Sequence, residues 1–298
     1  MSAALLLLPD FVLIVGGALL KRVRGFDAPV WSGIERLVYF VLFPALLFRS
    51  LAQSPLALGE ASRMVAVALA FTFSGMALSA LARPLFRLEP TTFASCFQCG
   101  FRFNTYIALA AASRIGGEAG IAAISLLIGV LVPVVNFAAV AMLARGGRGR
   151  IALELARNPL VIACLLGFAW QLGGLPLPAT VKRILDLLGS AALPLGLLAV
   201  GAGLKLTRAT LPLPALAWWN GVKLIALPAV AYALAHAVGL SPLERQIAVA
   251  MAAVPTATSA YILAAQMGGQ GAPVALVISS GTVLAAVTLP LWLAVAAL

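Results

Sequence analysis

The sequence predicts an all-α polytopic membrane protein with ten transmembrane helices, arranged as two inverted five-helix repeats. Three observations lead to this prediction. Of the 298 residues, 63% are hydrophobic and only 10% are charged, whereas a soluble domain carries roughly 25% charged residues. The apolar residues form ten stretches of membrane-spanning length, separated by polar or helix-breaking residues. Two motifs of the first half also recur in the second half at a nearly constant offset.

The ten spans follow from the apolar stretches and the breaks between them. The first stretch has no basic n-region and no clear small-residue cleavage site, so we interpret it as a membrane helix and not as a cleaved signal. The fourth and ninth stretches are unusual, because each has polar or helix-breaking residues at its centre. In chain order the predicted spans are 4–20, 31–53, 62–83, 91–114, 118–144, 157–174, 179–204, 211–238, 242–267 and 271–297.

The distribution of basic residues predicts the orientation. The loops after spans one, three, five and seven lie on one side and hold eleven basic residues, against six on the other side. Because cytoplasmic loops are rich in Lys and Arg, we expect the richer side to be cytoplasmic and both termini to be non-cytoplasmic. The eleven are Lys21, Arg22, Arg24, Arg83, Arg87, Arg145, Arg148, Arg150, Arg157, Lys205 and Arg208.

The composition also disfavours several classes of partner. The net charge of +11 comes from short basic clusters between apolar runs and not from one long patch, so we expect no nucleic-acid partner. Three cysteines cannot form a disulfide framework. Cys96 and Cys99 lie in an apolar helical run, where small-residue packing is the expected role, and His236 is the only histidine. We therefore expect no metal and no cofactor.

The repeat is visible in two pairs of segments. Residues 42–52, "LFPALLFRSLA", resemble residues 192–202, "ALPLGLLAVGA", at an offset of 150. Residues 110–120, "AAASRIGGEAG", resemble residues 263–272, "LAAQMGGQGA", at an offset of 152. Because each repeat has an odd number of spans, the second copy must enter the membrane from the opposite side, which is typical of secondary transporters.

This duplication predicts the domain organisation. The basic stretch "RGGRGRIALELAR" lies between the two copies and is the natural connection. The predicted units are a first repeat at 1–144, a cytoplasmic linker at 145–156 and a second, inverted repeat at 157–298.

Spans four and nine predict the binding site. Proline removes a backbone donor and breaks or kinks a helix, and Pro255 lies at the matching depth to the polar centre of span four. Backbone freed in this way must face protein or water, and half-helix N-termini favour anions. The candidate substrate-binding residues at the two breaks are Arg102, Asn104, Thr105, Pro255, Thr256, Thr258 and Ser259.

Structural roles compete with binding at these positions. Thr and Ser often satisfy local backbone carbonyls in membrane helices. Asn104 could cap the second half-helix of span four. Arg102 could pair with a neighbouring carbonyl or extend to the membrane interface.

Lys223 lies well inside span eight and is a further candidate for substrate binding. An intramembrane lysine is costly and is by default a functional hypothesis, although it could also donate to carbonyls freed at a broken helix. The acids fall near span ends or in loops, except Asp186, which lies a turn or two inside span seven. A carrier that exchanges cations usually needs a membrane carboxylate, so the pattern favours an anionic substrate.

Several stretches together resemble the auxin efflux carrier family, within the bile/arsenite/riboflavin transporter superfamily. The resemblance covers nearly the whole chain. It rests on "YFVLFPALLFRSLA", "RFN" at 102–104, "RNPLVIACLLGFAWQLGGLPLP" at 157–178, "LGSAALPLGLLAVGAGL" at 188–204, "VKLIALPAV" and "AAVPTATSAYILAAQMGG".

The resemblance implies crossing of the broken helices four and nine. It also implies a scaffold of helices 1, 2, 6 and 7, a transport module of helices 3–5 and 8–10, and a homodimer formed through the scaffold. Such carriers move organic anions, such as auxin-like carboxylates or dicarboxylates, across the inner (plasma) membrane by elevator-type alternating access. It implies substrate-binding roles for Asn104, Pro255, Thr256 and Lys223.

This sequence departs from the family pattern at the first break. The family often reads R-G-N there with a second glycine nearby, whereas Phe103 and Tyr106 are bulkier, which affects pocket size. A sodium-coupled symporter of the bile-acid type remains as the alternative function. No G-x-S-G, G-x-G-D or H-E-x-x-H motif is present, so we predict no catalytic residues and no enzyme.

Overall fold

The computed structural model describes residues 3–53, 58–143, 158–174, 176–204 and 211–298. Within these ranges the regular secondary structure is helical, with no strand, as the sequence predicts. The predicted linker at 145–156 lies outside the described residues. So do six of the basic residues that predict the orientation, namely Arg145, Arg148, Arg150, Arg157, Lys205 and Arg208.

Ten membrane crossings in two inverted repeats stay a prediction, and the helices of the described residues overlap the predicted spans. They are α1 (Ala3–Leu20), α2 (Ala28–Leu37), α3 (Phe43–Ala52), α4 (Leu58–Ala80), α5 (Ala82–Phe86), α6 (Pro90–Cys96), α7 (Thr105–Leu143), α8 (Pro159–Leu172), α9 (Ala179–Gly203), α10 (Leu213–Gly221), α11 (Leu227–Ala237), α12 (Pro242–Ala253), α13 (Ser259–Gln266) and α14 (Gly271–Ala296). A π-turn at Val38–Leu42 joins α2 to α3, and a second at Val222–Ala226 joins α10 to α11.

Six helical stretches in the described residues are long and apolar enough to cross a membrane. Two shorter apolar helices, Leu7–Leu20 and Pro159–Leu172, accompany them. The six are Ala28–Ala52, Ser62–Phe86, Pro90–Leu143, Ala179–Gly203, Leu213–Ala237 and Gly271–Ala296. The chain is therefore a multi-pass membrane protein.

Proline explains both π-turns. Pro44 and Pro228 lie two residues beyond them, and a proline ring clashes with the carbonyl four residues earlier in a regular helix. The wider π-turn relieves this clash and leaves a carbonyl without its helical donor. At the second π-turn that carbonyl belongs to Leu224, and it accepts the indole N–H of Trp292 at 2.9 Å.

Helices are interrupted where the sequence predicts two breaks. After α6 the chain forms a 3₁₀ turn at Phe97–Gly100 and then a non-helical segment up to Asn104. The second break separates the end of α12 from the start of α13. The breaks lie side by side, because the backbone N–H of Asn104 donates to the carbonyl of Pro255 at 2.8 Å. The Thr256 hydroxyl donates across the same contact to the carbonyl of Cys99 at 2.7 Å.

Helix α7 contains a sharp bend at Gly116 and Gly117, which separates the predicted spans four and five. Gly117 has φ 53° and ψ −131°, a combination that only glycine adopts without strain. A Cβ on Gly116 would lie 2.5 Å from Leu243 Cδ1, so this glycine allows close packing on α12.

The helix ends define two faces of the molecule. What we call the first face holds the start of α2 and the ends of α7 and α9, and there Thr92 donates to Gln270 at 2.9 Å. The second face holds the end of α3, the bend of α7 and the start of α9. There the Arg245 guanidinium donates to the carbonyl of Ala296 at 3.1 Å.

The helices pack in two groups. In the first group, α1 packs against α9, and α3 packs against α8 and α9. In the second, α12 packs against α7, α11 and α14, and α4 packs against α11. Small residues allow the closest approach in the first group: a Cβ on Gly17 would lie 1.9 Å from the Leu198 carbonyl oxygen, and one on Gly201 would lie 1.7 Å from that of Ile14.

Candidate functional site

A cavity of about 660 Å³ lies between the two groups of helices. Tyr39, at the π-turn after α2, and Asn158, before α8, line it from the first group. Arg102, at the first break, and Ser259, at the second, line it from the other group. Since Val140 near the end of α7 also lines it, the cavity extends from the two breaks towards the first face.

Arg102 is the cation in the wall beside the breaks. It is buried, with 7% of its surface exposed, and its guanidinium donates to three neutral oxygen atoms. The acceptors are Gln98 Oε1 at 2.9 Å, Asn136 Oδ1 at 2.9 Å and Ser259 Oγ at 3.1 Å. The ion pairs found among the described residues do not include Arg102. Its positive charge is therefore fixed in place without a carboxylate partner in those pairs.

Asn104 caps the helix that follows the first break. Its side-chain oxygen accepts the backbone N–H groups of Tyr106 at 3.0 Å and Ile107 at 3.3 Å, which is the N-cap arrangement. The side chain is buried, and its amide nitrogen has no hydrogen-bond partner within the described part of the chain. Asn104 lies next to the lining residues without being one of them.

Lys223 is buried, with 2% of its surface exposed, and its ammonium donates to the carbonyl of Ala252 at 2.5 Å. That carbonyl belongs to the last turn of α12, where the helix ends before Pro255 and normal backbone donors are lost. In this conformation the lysine therefore connects α10 and α11 to the second break.

The predicted site residues separate into two sets in the described structure. Arg102, Thr105, Thr258 and Ser259 line the cavity. Asn104, Lys223, Pro255 and Thr256 lie behind its wall and join the breaks to each other or to neighbouring helices. Their binding of substrate stays a prediction.

Sequence reasoning missed several polar groups of the site. Gln98 lies in the 3₁₀ turn, and Asn136 lies in the middle of the apolar second half of α7. Tyr39 and Tyr106 also line the cavity. Asn136 could have been found, because it is the one amide in the otherwise apolar stretch 118–143. Gln98 had no such signal, since its partners are set by folding.

The sequence-based account of the acids needs a correction at Glu35. Although Glu35 lies near the start of predicted span two, it lines the large cavity and also a neighbouring one of about 150 Å³. Tyr261 and Ile262 of α13 line the smaller cavity together with Glu35. The absence of a membrane acid is therefore no longer an argument against cation coupling.

Comparison with known proteins finds similarity to membrane transport proteins. Residues 148–293 match the model of the family described as "Membrane transport protein". The chain is 27% identical over 278 residues to a protein of Rhizobium meliloti (strain 1021) named "Putative malonate transporter", with 88% of this chain and 86% of that protein covered. Both matches agree with the resemblance to the auxin efflux carrier family that the sequence shows. Both matches are to membrane transport proteins, and neither is to an enzyme.

In this carrier the family match covers both sides of the second break. The matched residues include Asn158 at the cavity, Lys223, and the whole segment from α12 to α13. The match does not reach the first break, where Arg102 and Asn104 lie. The first break is instead covered by the longer alignment with the Rhizobium protein, which spans most of both chains.

Proposed function

We propose that this carrier transports small organic anions, with carboxylates as the substrate class. The observation that carries the proposal is Arg102, whose guanidinium lies in the cavity wall and is bound by neutral oxygen atoms. An arginine held at membrane depth without a carboxylate partner is costly. A substrate carboxylate would supply the missing negative charge and accept charge-assisted hydrogen bonds.

Other groups of the cavity suit the same class. Thr105, Thr258 and Ser259 contribute hydroxyls to the lining that holds Arg102, and Val132 and Val135 contribute apolar surface. The name of the Rhizobium protein supports a dicarboxylate such as malonate. The apolar side chains beside the cations Arg36 and Arg102 equally suit an aromatic monocarboxylate, so both belong in the test.

We further propose alternating access of the elevator type between an inverted pair of five-helix repeats. The cavity lies between two groups of helices, as expected if a transport module of spans 3–5 and 8–10 moves along a scaffold of spans 1, 2, 6 and 7. The cavity extends towards the first face, which the basic residues predict to be cytoplasmic. A homodimer in the inner membrane, with both termini non-cytoplasmic, completes the proposal.

Ligand-induced stabilisation tests the substrate class. Purified carrier is screened by thermal unfolding against malonate, malate and indole-3-acetate, with malonamide as the uncharged analogue. Binding at about 100 times Kd raises the unfolding free energy by about 2.7 kcal/mol, so a true ligand gives a clear shift. We expect a clear shift with at least one carboxylate and only a small one with malonamide.

Two variants that each replace one arginine by glutamine compare a cavity position with a control position. We expect Arg102→Gln to reduce the shift strongly, because it removes the guanidinium that lies in the cavity wall beside the two breaks. Arg22→Gln, in an exposed turn of the first face, is expected to leave it unchanged. An unchanged carboxylate shift in Arg102→Gln would show that the anion binds elsewhere.

A sodium-coupled symporter is the second candidate, and Glu35 is the observation that favours it. Its carboxylate lines the smaller cavity with Thr258 and Ser279, which offer the oxygen atoms that a sodium ion prefers. Uptake into proteoliposomes with sodium replaced by choline separates the two. Uptake that continues in choline supports uncoupled transport, and strict sodium dependence supports the symporter.

A further inference from the structure

The hydrogen-bonded shell of Arg102 contains two amide side chains whose orientation is fixed. Gln98 is fully buried and donates its NH₂ group to the carbonyls of Ser95 at 3.2 Å and Ala260 at 3.1 Å. Only the amide NH₂ can make these two contacts, because an oxygen there would face two carbonyl oxygens. The Gln98 oxygen must then point at Arg102, which donates to it at 2.9 Å.

This geometry connects Arg102 to both helix breaks. Gln98 belongs to the 3₁₀ turn of the first break, and Ala260 lies at the start of α13, directly after the second. The backbone carbonyl of Gln98 also accepts the backbone N–H of Arg102 at 3.0 Å. Gln98 does not line the cavity, so it can affect a ligand only through Arg102 or through the fold.

Asn136 supports the guanidinium from the other side. It is half-buried in the cavity wall on α7, and its side-chain oxygen accepts from the second terminal nitrogen of Arg102 at 2.9 Å. Both supporting side chains, Gln98 and Asn136, are neutral acceptors, and Glu or Asp at these positions would have nearly the same size. A carboxylate there would pair with Arg102 and cancel the charge that the cavity presents.

We propose that Gln98 and Asn136 are positioning residues that make the cavity selective for anions, by fixing Arg102 while leaving its charge uncompensated. This proposal rests on the proposed function. The proposed function requires a cation in the cavity wall, and the present proposal explains why the charge of that cation is available to a substrate. The neutral amides set the charge of the site, and the two carbonyl contacts of Gln98 set its geometry.

The test compares binding of malonate and its uncharged analogue malonamide by isothermal titration in detergent, using whichever carboxylate stabilised the wild type if malonate did not. Asn136→Asp and Gln98→Glu each introduce one carboxylate of nearly unchanged size next to Arg102. We expect each to weaken carboxylate binding by about tenfold or more, the loss corresponding to one charge-assisted hydrogen bond. Because malonamide carries no charge, its weak binding should not fall in parallel.

The control is Gln53→Glu, the same change at an exposed position after α3. It is expected to leave both affinities unchanged. If Asn136→Asp and Gln98→Glu bind carboxylates as tightly as the wild type, the proposal is wrong. A parallel loss of malonate and malonamide binding would also overturn it, because that result indicates a general structural defect.

A double-mutant cycle separates positioning from folding. Gln98→Met removes the acceptor without adding charge and is expected to lower carboxylate affinity by about tenfold in the wild-type background. In the Arg102→Gln background it should have an effect of less than about twofold, because its partner is already absent. Equal effects in both backgrounds would contradict a role through Arg102.

Different results would contradict the proposed function and the proposed role of Gln98 and Asn136. If no carboxylate binds the wild type, or if Arg102→Gln binds as well as the wild type, the proposed function fails. If Arg102→Gln loses binding while the Gln98 and Asn136 variants keep it, only the present inference fails. Should Gln98→Met and Gln98→Glu not fold, the cavity-lining Asn136→Asp still decides the question of charge.

Discussion

Single polar side chains replace backbone hydrogen bonds that the helix breaks leave open. Lys223 donates to the carbonyl of Ala252, and Thr256 donates to that of Cys99. Asn104 accepts two backbone N–H groups at the start of α7. These contacts give a structural reason for polar residues in apolar spans, so any substrate contact by the same residues must use their remaining hydrogen-bonding capacity.

Asn104 has such remaining capacity, and a pair of variants tests it. Asn104→Ser keeps an N-cap acceptor but removes the buried, unpartnered NH₂ group. If that group binds the substrate, the Ser variant loses carboxylate affinity while its unfolding temperature stays close to that of the wild type. Asn104→Ala should lose affinity and also about 1 kcal/mol of stability, because the cap is removed.

Thermal unfolding without ligand and isothermal titration with carboxylate measure the two effects separately. Retained affinity in Asn104→Ser, together with a lower unfolding temperature in Asn104→Ala, would restrict Asn104 to the cap. That outcome would refute the predicted role of Asn104 in binding.

The sequence predicted the residues of the breaks better than it predicted their contacts. Arg102, Thr258 and Ser259 were predicted because polar groups at membrane depth need a reason, and all three line the cavity. The supporting groups were not predictable in the same way. Gln98 contacts Ala260, a residue 162 positions away, and no local pattern specifies such a pair.

At the scale of helices, proline and glycine decide where the chain bends and where helices approach. The break at Pro255 was predicted from the sequence, and so was an end of span four before Gly116, where the bend lies. The π-turns before Pro44 and Pro228 were not, since in-span proline indicates a distortion without specifying its type. Close contact between α1 and α9 was also beyond prediction, because it depends on which helices are neighbours.

The glycine contact between α1 and α9 gives a stability prediction. In Gly201→Ala the new Cβ would meet the Ile14 carbonyl oxygen at 1.7 Å, so the helices must separate. We expect a loss of about 1–3 kcal/mol, the usual cost of overpacking a tight contact. Thermal unfolding in detergent should show it as a lower midpoint.

Gly33→Ala is the matched control within a helix. A Cβ there meets nothing within 4 Å, so alanine should be neutral or should stabilise α2 by about 0.5–1 kcal/mol through helix propensity. Equal unfolding temperatures for Gly201→Ala and wild type would mean that α1 and α9 do not pack as closely as described.

At the scale of the molecule, ion pairs and cavity lie at opposite faces. The cavity extends towards the first face, while the ion pairs of the described residues lie on the second face or lead to it. Arg49 of α3 pairs with Glu118, just beyond the bend of α7, and with Asp186 of α9. Arg114, just before the same bend, pairs with Asp10 of α1 at 3.3 Å. The pairs with Glu118 and Asp10 join the proposed scaffold to the proposed transport module, and the pair with Asp186 lies within the scaffold.

If transport alternates between faces, weakening these pairs should favour opening towards the second face. In Arg49→Gln, a reporter cysteine introduced at Thr105 in the cavity wall should react faster with a membrane-impermeant thiol reagent added at the second face. The three buried native cysteines are first replaced by alanine. We expect labelling about two- to tenfold faster, which corresponds to a coupling of about 0.5–1.4 kcal/mol.

The two acids that pair with Arg49 differ in exposure and in the helices they join, so variants at Glu118 and Asp186 should have different effects. The Glu118 side chain is 76% exposed, so water and salt screen its pairing with Arg49, whereas that of Asp186 is only 32% exposed. Yet the Arg49–Asp186 pair joins two helices of the proposed scaffold, and only the pair with Glu118 crosses to the moving side. Glu118→Gln should therefore increase labelling at low salt and lose this effect at high salt. Asp186→Asn should instead lower the unfolding temperature without a matching change in labelling.

Labelling that is equal in Arg49→Gln, Glu118→Gln and the first-face control Arg22→Gln would exclude these ion pairs from the transport motion.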